Sequence, residues 1–288
     1  TFGGAIIPNM QTNSDKKLED IRTPMRLGYT FMGWAKTKRS GSSAAPDYEA
    51  GELLKISKTT TLYATVFNRA TEKDISSETM ARPAINMKYS KVIFVGDSRT
   101  VGMNATLNKQ MSSSVTSGVS FIASAGQGLS WFKSEGYSQL LKEINKTEGT
   151  LPIAVVFNLG VNDMANVSNY VSYMTDIAST LKSKNCKLFY MSVNPLNSTM
   201  IAKAGKGART EAQVREFNSK IHSGLSLNYK YIDTYNVLMK TGYGTNASYV
   251  GTDRDSDDGL HYTTRTYKRI YYYSVIYLNT GSINQIYY

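Results

Sequence analysis

The chain has 288 residues, enough for one large domain plus a small one with a substantial buried core. Hydrophobic residues make up 41% and charged residues 19%, no apolar run approaches the length of a membrane span, and the composition reads as soluble and globular. The net charge of +11 divides as +4 over residues 1–70 and +7 over the rest, with no basic arm or nucleic-acid motif; this argues against nucleic acid and leaves surface solvation or attraction to an anionic cell wall or acidic glycan.

In chain order, residues 1–68 read as a β-rich module. Tyr29-Thr-Phe31 alternates and ends at Gly33-Trp34, and a polar, turn-rich stretch follows from Thr37 to Asp47. Thr60-Thr-Leu-Tyr-Ala-Thr-Val-Phe67 then alternates apolar with small polar residues, as a half-buried strand does. The string Gly28-Tyr-Thr-Phe-Met-Gly-Trp34, followed by Thr59-Thr-Thr-Leu-Tyr-Ala64, resembles an internalin-B-type repeat. That resemblance implies a small β-grasp-like module of bacterial surface or secreted proteins, with Trp34 in its core and its opening strand clipped at Thr1-Phe2-Gly-Gly4. The chain opens on Thr1 and not Met, so a processed product or excised piece is expected, with any export signal lost upstream. Residues 69–88 are polar and aperiodic, as a linker or wrapping segment would be.

Residues 89–288 alternate strand and helix patterns. Strands are predicted at Lys91–Val95, Val119–Ala123, Ile153–Asn158, Lys187–Val193 and Lys230–Ile232. Helices are predicted at Thr100–Gln110, Ser130–Ile144, Val167–Lys182, Glu211–Leu227 and Thr264–Leu278. Thr210-Glu-Ala-Gln213 has capping-box form, and Val214, Phe217, Ile221 and Leu225 make one apolar stripe behind it. Short apolar strands separated by helices argue for a parallel sheet covered on both faces.

Four short blocks fall where such strands end: Gly96-Asp97-Ser98-Arg99-Thr100, Gly126-Gln-Gly128, Gly160-Val-Asn162-Asp163 and Asp258-Gly-Leu-His261. In a parallel sheet the carboxyl ends of the strands are the ligand-binding rim. Acyl transfer needs a nucleophile, a base, an orienting acid and donors for the developing oxyanion. Ser98 on a strand-to-helix turn suits the first role, His261 the second and Asp258 the third. The backbone N–H groups of Ser98 and Gly128 and the side-chain amide of Asn162 suit the oxyanion.

Together the four blocks resemble the SGNH (GDSL-type) serine hydrolases. The resemblance implies a three-layer α/β/α sandwich on a five-stranded parallel sheet of flavodoxin-like order, with these roles carried by Ser98, Gly128, Asn162, Asp258 and His261. Gly128 is preferred to Gly126 because the family's donor glycine holds the later position of its block. Asp97 and Asp163 are expected to brace loops by hydrogen bonds. The only other histidine, His222, sits mid-helix beside the Ile221 stripe and reads as structural or surface.

Other residues keep two readings. Arg99 either pairs structurally or meets an anionic substrate. Trp131 either packs in the core or walls the acyl or sugar site. Lys203, Lys206 and Arg209 either rim the pocket or lie on a solvated loop. Asp253, Asp255 and Asp257 alternate like a calcium loop, but Asp258 and Thr264 stand where an EF-hand needs glycine and glutamate, so no metal is expected. Cys186 is the only cysteine, which rules out an intrachain disulfide and favours a buried structural thiol. No cofactor is required. The expected activity is that of an extracellular bacterial serine esterase removing small acyl groups, acetyl foremost, from carbohydrate. A lipid or thioester acyl hydrolase, or an inert surface-binding protein, stands as the alternative.

Overall fold

The computed structural model describes residues 16–17, 28–38, 45–49, 52–55, 57–85 and 88–283. The clipped opening strand expected at Thr1–Gly4 lies outside them. At the N-terminal end, Lys16–Lys17 (β1) pairs antiparallel with Leu53–Leu54 (β3), and Tyr29–Ala35 (β2) pairs antiparallel with Tyr63–Asn68 (β4). Phe31, Trp34 and Leu54 form a small apolar cluster, with Trp34 4% exposed and its ring edge-on to Phe31 at 5.3 Å. The opposite face of the β2–β4 pair contributes Met32 and Phe67 to the main core. Phe67 fills the space that a side chain at Gly242 would occupy.

The segment after β4 is not a free linker. It wraps, and Ser77–Ile85 (α1) is a helix that the polar sequence did not announce. Ser76 caps it, its Oγ accepting from the N–H of Thr79 at 3.2 Å. Ile75 and Met80 are buried in the core.

The remainder is a doubly wound sheet. Its strands are Lys91–Gly96 (β5), Val119–Ala123 (β6), Ile153–Asn158 (β7), Cys186–Met191 (β8) and Lys230–Ile232 (β9), all parallel and in the order β6-β5-β7-β8-β9. That is the flavodoxin-like order. β5 and β7 are almost wholly buried because helices cover both faces, which is why they read as unbroken apolar runs and do not alternate.

The helices are Ser98–Gln110 (α2), Ser113–Thr116 (α3), Leu129–Trp131 (α4), Tyr137–Lys146 (α5), Val167–Ser183 (α6), Ser198–Lys203 (α7), Glu211–Leu225 (α8), Thr234–Thr241 (α9) and Thr264–Thr280 (α10). α4 and α5 are joined by a π turn over Phe132–Gly136 into the single helix that the sequence predicts. The capping box at Thr210 forms, and Val214, Phe217, Ile221 and Leu225 are buried as the stripe requires. Short α3, α7 and α9 were not predicted. α10 is buried nearly all round, Tyr271, Tyr272 and Tyr273 included, because the wrapping segment covers the side that solvent would otherwise meet.

One buried ion pair fastens that cover. Glu72 accepts from Arg269 at 2.8 Å, from the Thr263 hydroxyl at 2.8 Å and from the Thr266 hydroxyl, while Arg265 donates to the Glu72 carbonyl at 3.0 Å. Both charged side chains are 1% exposed. Removing one member of such a pair strands the other charge in a dry site. Glu72→Ala is therefore expected to cost about 3–5 kcal/mol, read as a lower urea midpoint at unchanged slope; a loss under about 1 kcal/mol would show that the pair holds little.

Candidate active site

β5, β6 and β7 run in register, with Gly96 opposite Ala123 on one side and Asn158 on the other, so the loops that follow them leave the sheet at one level. The order reverses between β5 and β7, which makes this the topological switch point of the sheet, where open α/β sheets bind ligands. Ser98 follows β5 and Asn162 follows β7, the two strands that meet at that point. Gly96 is glycine for a steric reason: a Cβ there would sit 1.9 Å from the Thr100 hydroxyl and 2.7 Å from the Asn158 carbonyl.

Asp97 caps α2, its carboxylate accepting from the N–H of Arg99 at 2.9 Å. Ser98 is thus the first residue of the helix, at its positive end. Its Oγ lies 2.9 Å from His261 Nε2. His261 Nδ1 lies 2.6 Å from Asp258 Oδ2, and Asp258 Oδ1 accepts from the backbone N–H groups of Leu260 and His261, each at 2.9 Å. Bonded in this way, Nδ1 carries the proton and Nε2 is left to accept from the serine. Burial alone would raise the Asp258 carboxyl, but the hydrogen bond and charge of His261 and the two backbone donors hold it below the ordinary carboxylate value. Asp97 goes the other way: burial pushes it up to about 6, against the opposing pull of the Arg99 N–H and of the Arg99 and His261 charges.

The second and third blocks are tied to each other. Asn162 Nδ2 donates to the Gln127 carbonyl at 2.8 Å. Asp163 accepts from the N–H of Leu129 at 2.9 Å and from the Tyr170 hydroxyl at 2.6 Å, so it braces the loop as expected. Gly128 leaves room for this brace, since a Cβ there would lie 2.4 Å from the Asp163 carboxylate. At Gly126 the space is open and the positive φ of +75° belongs to a turn.

Two expectations are corrected. Arg99 does not face the rim: it is buried, donates to the carbonyls of Leu260 (2.9 Å), Asn194 (2.8 Å) and Pro195 (3.3 Å), and lies over the Tyr262 ring. Trp131 is buried in the core, where its ring packs against Gly136, so of its two readings packing is the one the structure displays. The Lys203–Arg209 loop, by contrast, does reach the site. Lys206 Nζ comes within 3.9 Å of Asp258, and Arg209 donates to Asn162 Oδ1 at 3.1 Å.

Tyr249 was not foreseen. Its ring lies 5.3 Å from that of His261, and it is 41% exposed. Nothing in its local sequence marks it, because the contact is made by a long loop folding back. The acidic run is absorbed structurally: Asp253 accepts from the N–H of Thr264 at 2.8 Å, and Asp257 pairs with Arg69 at 2.8 Å. Cys186 is buried, and burial pushes its thiol up to about 11, away from reactivity. His222 is exposed and stacks on Tyr231 at 4.5 Å. Among the described residues no helix is long and apolar enough to cross a membrane.

If this arrangement works as a serine hydrolase site, His222→Ala should leave turnover unchanged, whereas Asn162→Ala should lower it by about 10²–10³ with little change in stability, the usual loss for one oxyanion donor. Steady-state kinetics on the two variants, with melting curves alongside, reads both; a rate collapse at His222 would move the base there.

By sequence the chain matches no known family and no curated protein. By structure it is similar to a Slackia heliotrinireducens protein assigned as an SGNH hydrolase, with 12% identity over 67% of this chain and 100% of that one and a TM-score of 0.48. It is also similar to a Bacteroides fragilis protein assigned as an acylhydrolase, with 17% identity over 69% and 93% and a TM-score of 0.45. A third likeness is to a member of the lipolytic G-D-S-L family from Veillonella parvula, with 17% identity over 65% and 96% and a TM-score of 0.42.

Proposed function

We propose that the chain is a serine ester hydrolase of the SGNH type. The observation that carries this reading is the unbroken relay Asp258–His261–Ser98, with heavy-atom separations of 2.6 and 2.9 Å, at the start of a helix. His261 Nε2 takes the Ser98 proton as Oγ attacks the ester carbonyl. The negative charge that forms on the carbonyl oxygen is met by the N–H groups of Ser98 and Gly128 and by the second N–H of Asn162 Nδ2. Collapse of this intermediate expels the alcohol, which leaves with the proton held by His261. Water then attacks the acyl-serine, gives its proton to His261, and the acid departs as Ser98 regains its hydrogen. Asp258 stays ionised throughout and stabilises the imidazolium.

We propose further that the substrate is a short acyl ester on a carbohydrate, acetyl foremost. Ser98 and His261 are each 4% exposed, so the reacting pair is shielded from bulk water. Tyr249 offers a partly exposed aromatic face beside the imidazole, a surface suited to a sugar ring. The internalin-B-like string at Gly28–Trp34 supports an extracellular or cell-surface setting with residues 1–68 as a repeat module packed on the main core, 69–88 as its wrapping connection and 89–288 as the hydrolase. The net charge of +11 supports attraction to an anionic wall.

Wild type should hydrolyse p-nitrophenyl acetate and Ser98→Ala should not. Acetate release from acetylated xylan, mannan, pectin and peptidoglycan should then be found on at least one of them, and rates on p-nitrophenyl esters should fall as the acyl chain lengthens. Faster turnover of long chains would replace the carbohydrate reading with lipid or thioester hydrolysis. Equal rates for wild type and Ser98→Ala would leave a binding protein.

A further inference from the structure

Asn162 is held from both ends. A side-chain amide can be turned over by 180°, exchanging its oxygen for its nitrogen, and only its partners decide which way it points. Here one partner is a carbonyl, that of Gln127, which can only accept; it lies 2.8 Å from Asn162 Nδ2. The other is the guanidinium of Arg209, which can only donate; its terminal nitrogen lies 3.1 Å from Asn162 Oδ1. The turned-over amide would face oxygen to oxygen on one side and N–H to N–H on the other. The two contacts therefore select one orientation, in which one amide N–H is spent on Gln127 and the second remains to donate.

Arg209 is itself fixed. Its Nε donates to the Val161 carbonyl at 2.9 Å, one residue before Asn162, and its other terminal nitrogen donates to the Lys206 carbonyl. The guanidinium fork thus spans the backbone of the third block, the side chain of Asn162 and the backbone of its own loop. It stands one residue before Thr210, the cap of α8, so the start of that helix anchors it. The rim that Lys203–Arg209 forms does not merely border the site; it sets the donor. A positive charge on the amide oxygen also draws electron density from the amide nitrogen, which strengthens its remaining N–H as a donor.

We infer that Arg209 is the positioning residue of the oxyanion site, acting through Asn162 and not on the substrate. This rests on the esterase reading above for its kinetic consequence, and on geometry alone for its structural one. Its signature is a loss confined to the transition state: the charge that Asn162 meets exists only there, so kcat falls while KM stays near its wild-type value.

The test is a double-mutant cycle on p-nitrophenyl acetate with Arg209→Ala, Asn162→Ala and the pair together. Arg209→Ala should lower kcat by about 10- to 100-fold with KM within about threefold, and the double variant should be no slower than Asn162→Ala alone. Arg209→Lys, which keeps a cation but not the fork, should recover part of the rate. Independent, multiplying losses would overturn the inference, as would a raised KM at unchanged kcat, which is the mark of direct substrate contact. A crystal structure of Arg209→Ala decides the matter without any activity: Asn162 should turn or lose its bond to Gln127, and an unmoved Asn162 would refute the role. Absence of Ser98-dependent turnover in wild type would end the esterase reading while leaving that structural test intact.

Discussion

The buried guanidinium of Arg99 is the strut on which the site depends. It leaves the first turn of α2 beside Ser98 and donates to the carbonyls of Leu260, Asn194 and Pro195. Leu260 is the residue before His261, so one side chain joins the helix that begins at Ser98 to the loop that carries His261. A loop of irregular backbone has carbonyls that need donors once water is excluded. Arg99 supplies several from a single rigid fork, which a lysine could not do. The 2.9 Å separation of Ser98 and His261 follows from this tie. It is a distance across 163 residues of sequence, set by a side chain that never meets the rim.

The same loop is held from its other side by the N-terminal part of the chain. Arg69 receives Asp257 on its guanidinium and bonds through its backbone N–H to Gly28 at the head of β2. Glu72 fastens to the first turns of α10, which begins three residues after His261. Glu49 meets Arg215 at 3.0 Å and the Tyr235 hydroxyl at 2.8 Å. The β-rich segment is therefore bonded to the same scaffold that places His261, and the wrapping segment supplies the buried carboxylate that α10 needs.

Much of this was readable from residue order. Period and apolar runs located all five strands of the large sheet, because a strand buried on both faces has little freedom in composition. The long helices announced themselves by stripes and caps, Thr210 above all. α1 did not: a polar composition and Pro83 hide it. α7 and α9 are too short to show a period of their own. Arg99 and Trp131 show the limit of proximity in sequence. Each adjoins a functional block, yet each points inward, because side-chain direction on the first turn of a helix depends on what the helix is packed against.

The order of residues by itself determined the five strands of the large sheet, the long helices and the four blocks, since these rest on local spacing and on the steric demands of glycine. Only the tertiary structure decided which side chains meet: Arg209 with Asn162, Tyr249 with His261, Glu72 with Arg269, Arg99 with three carbonyls. These contacts join residues that local patterns treat as unrelated, and each depends on directional partners that only a packed chain brings within reach.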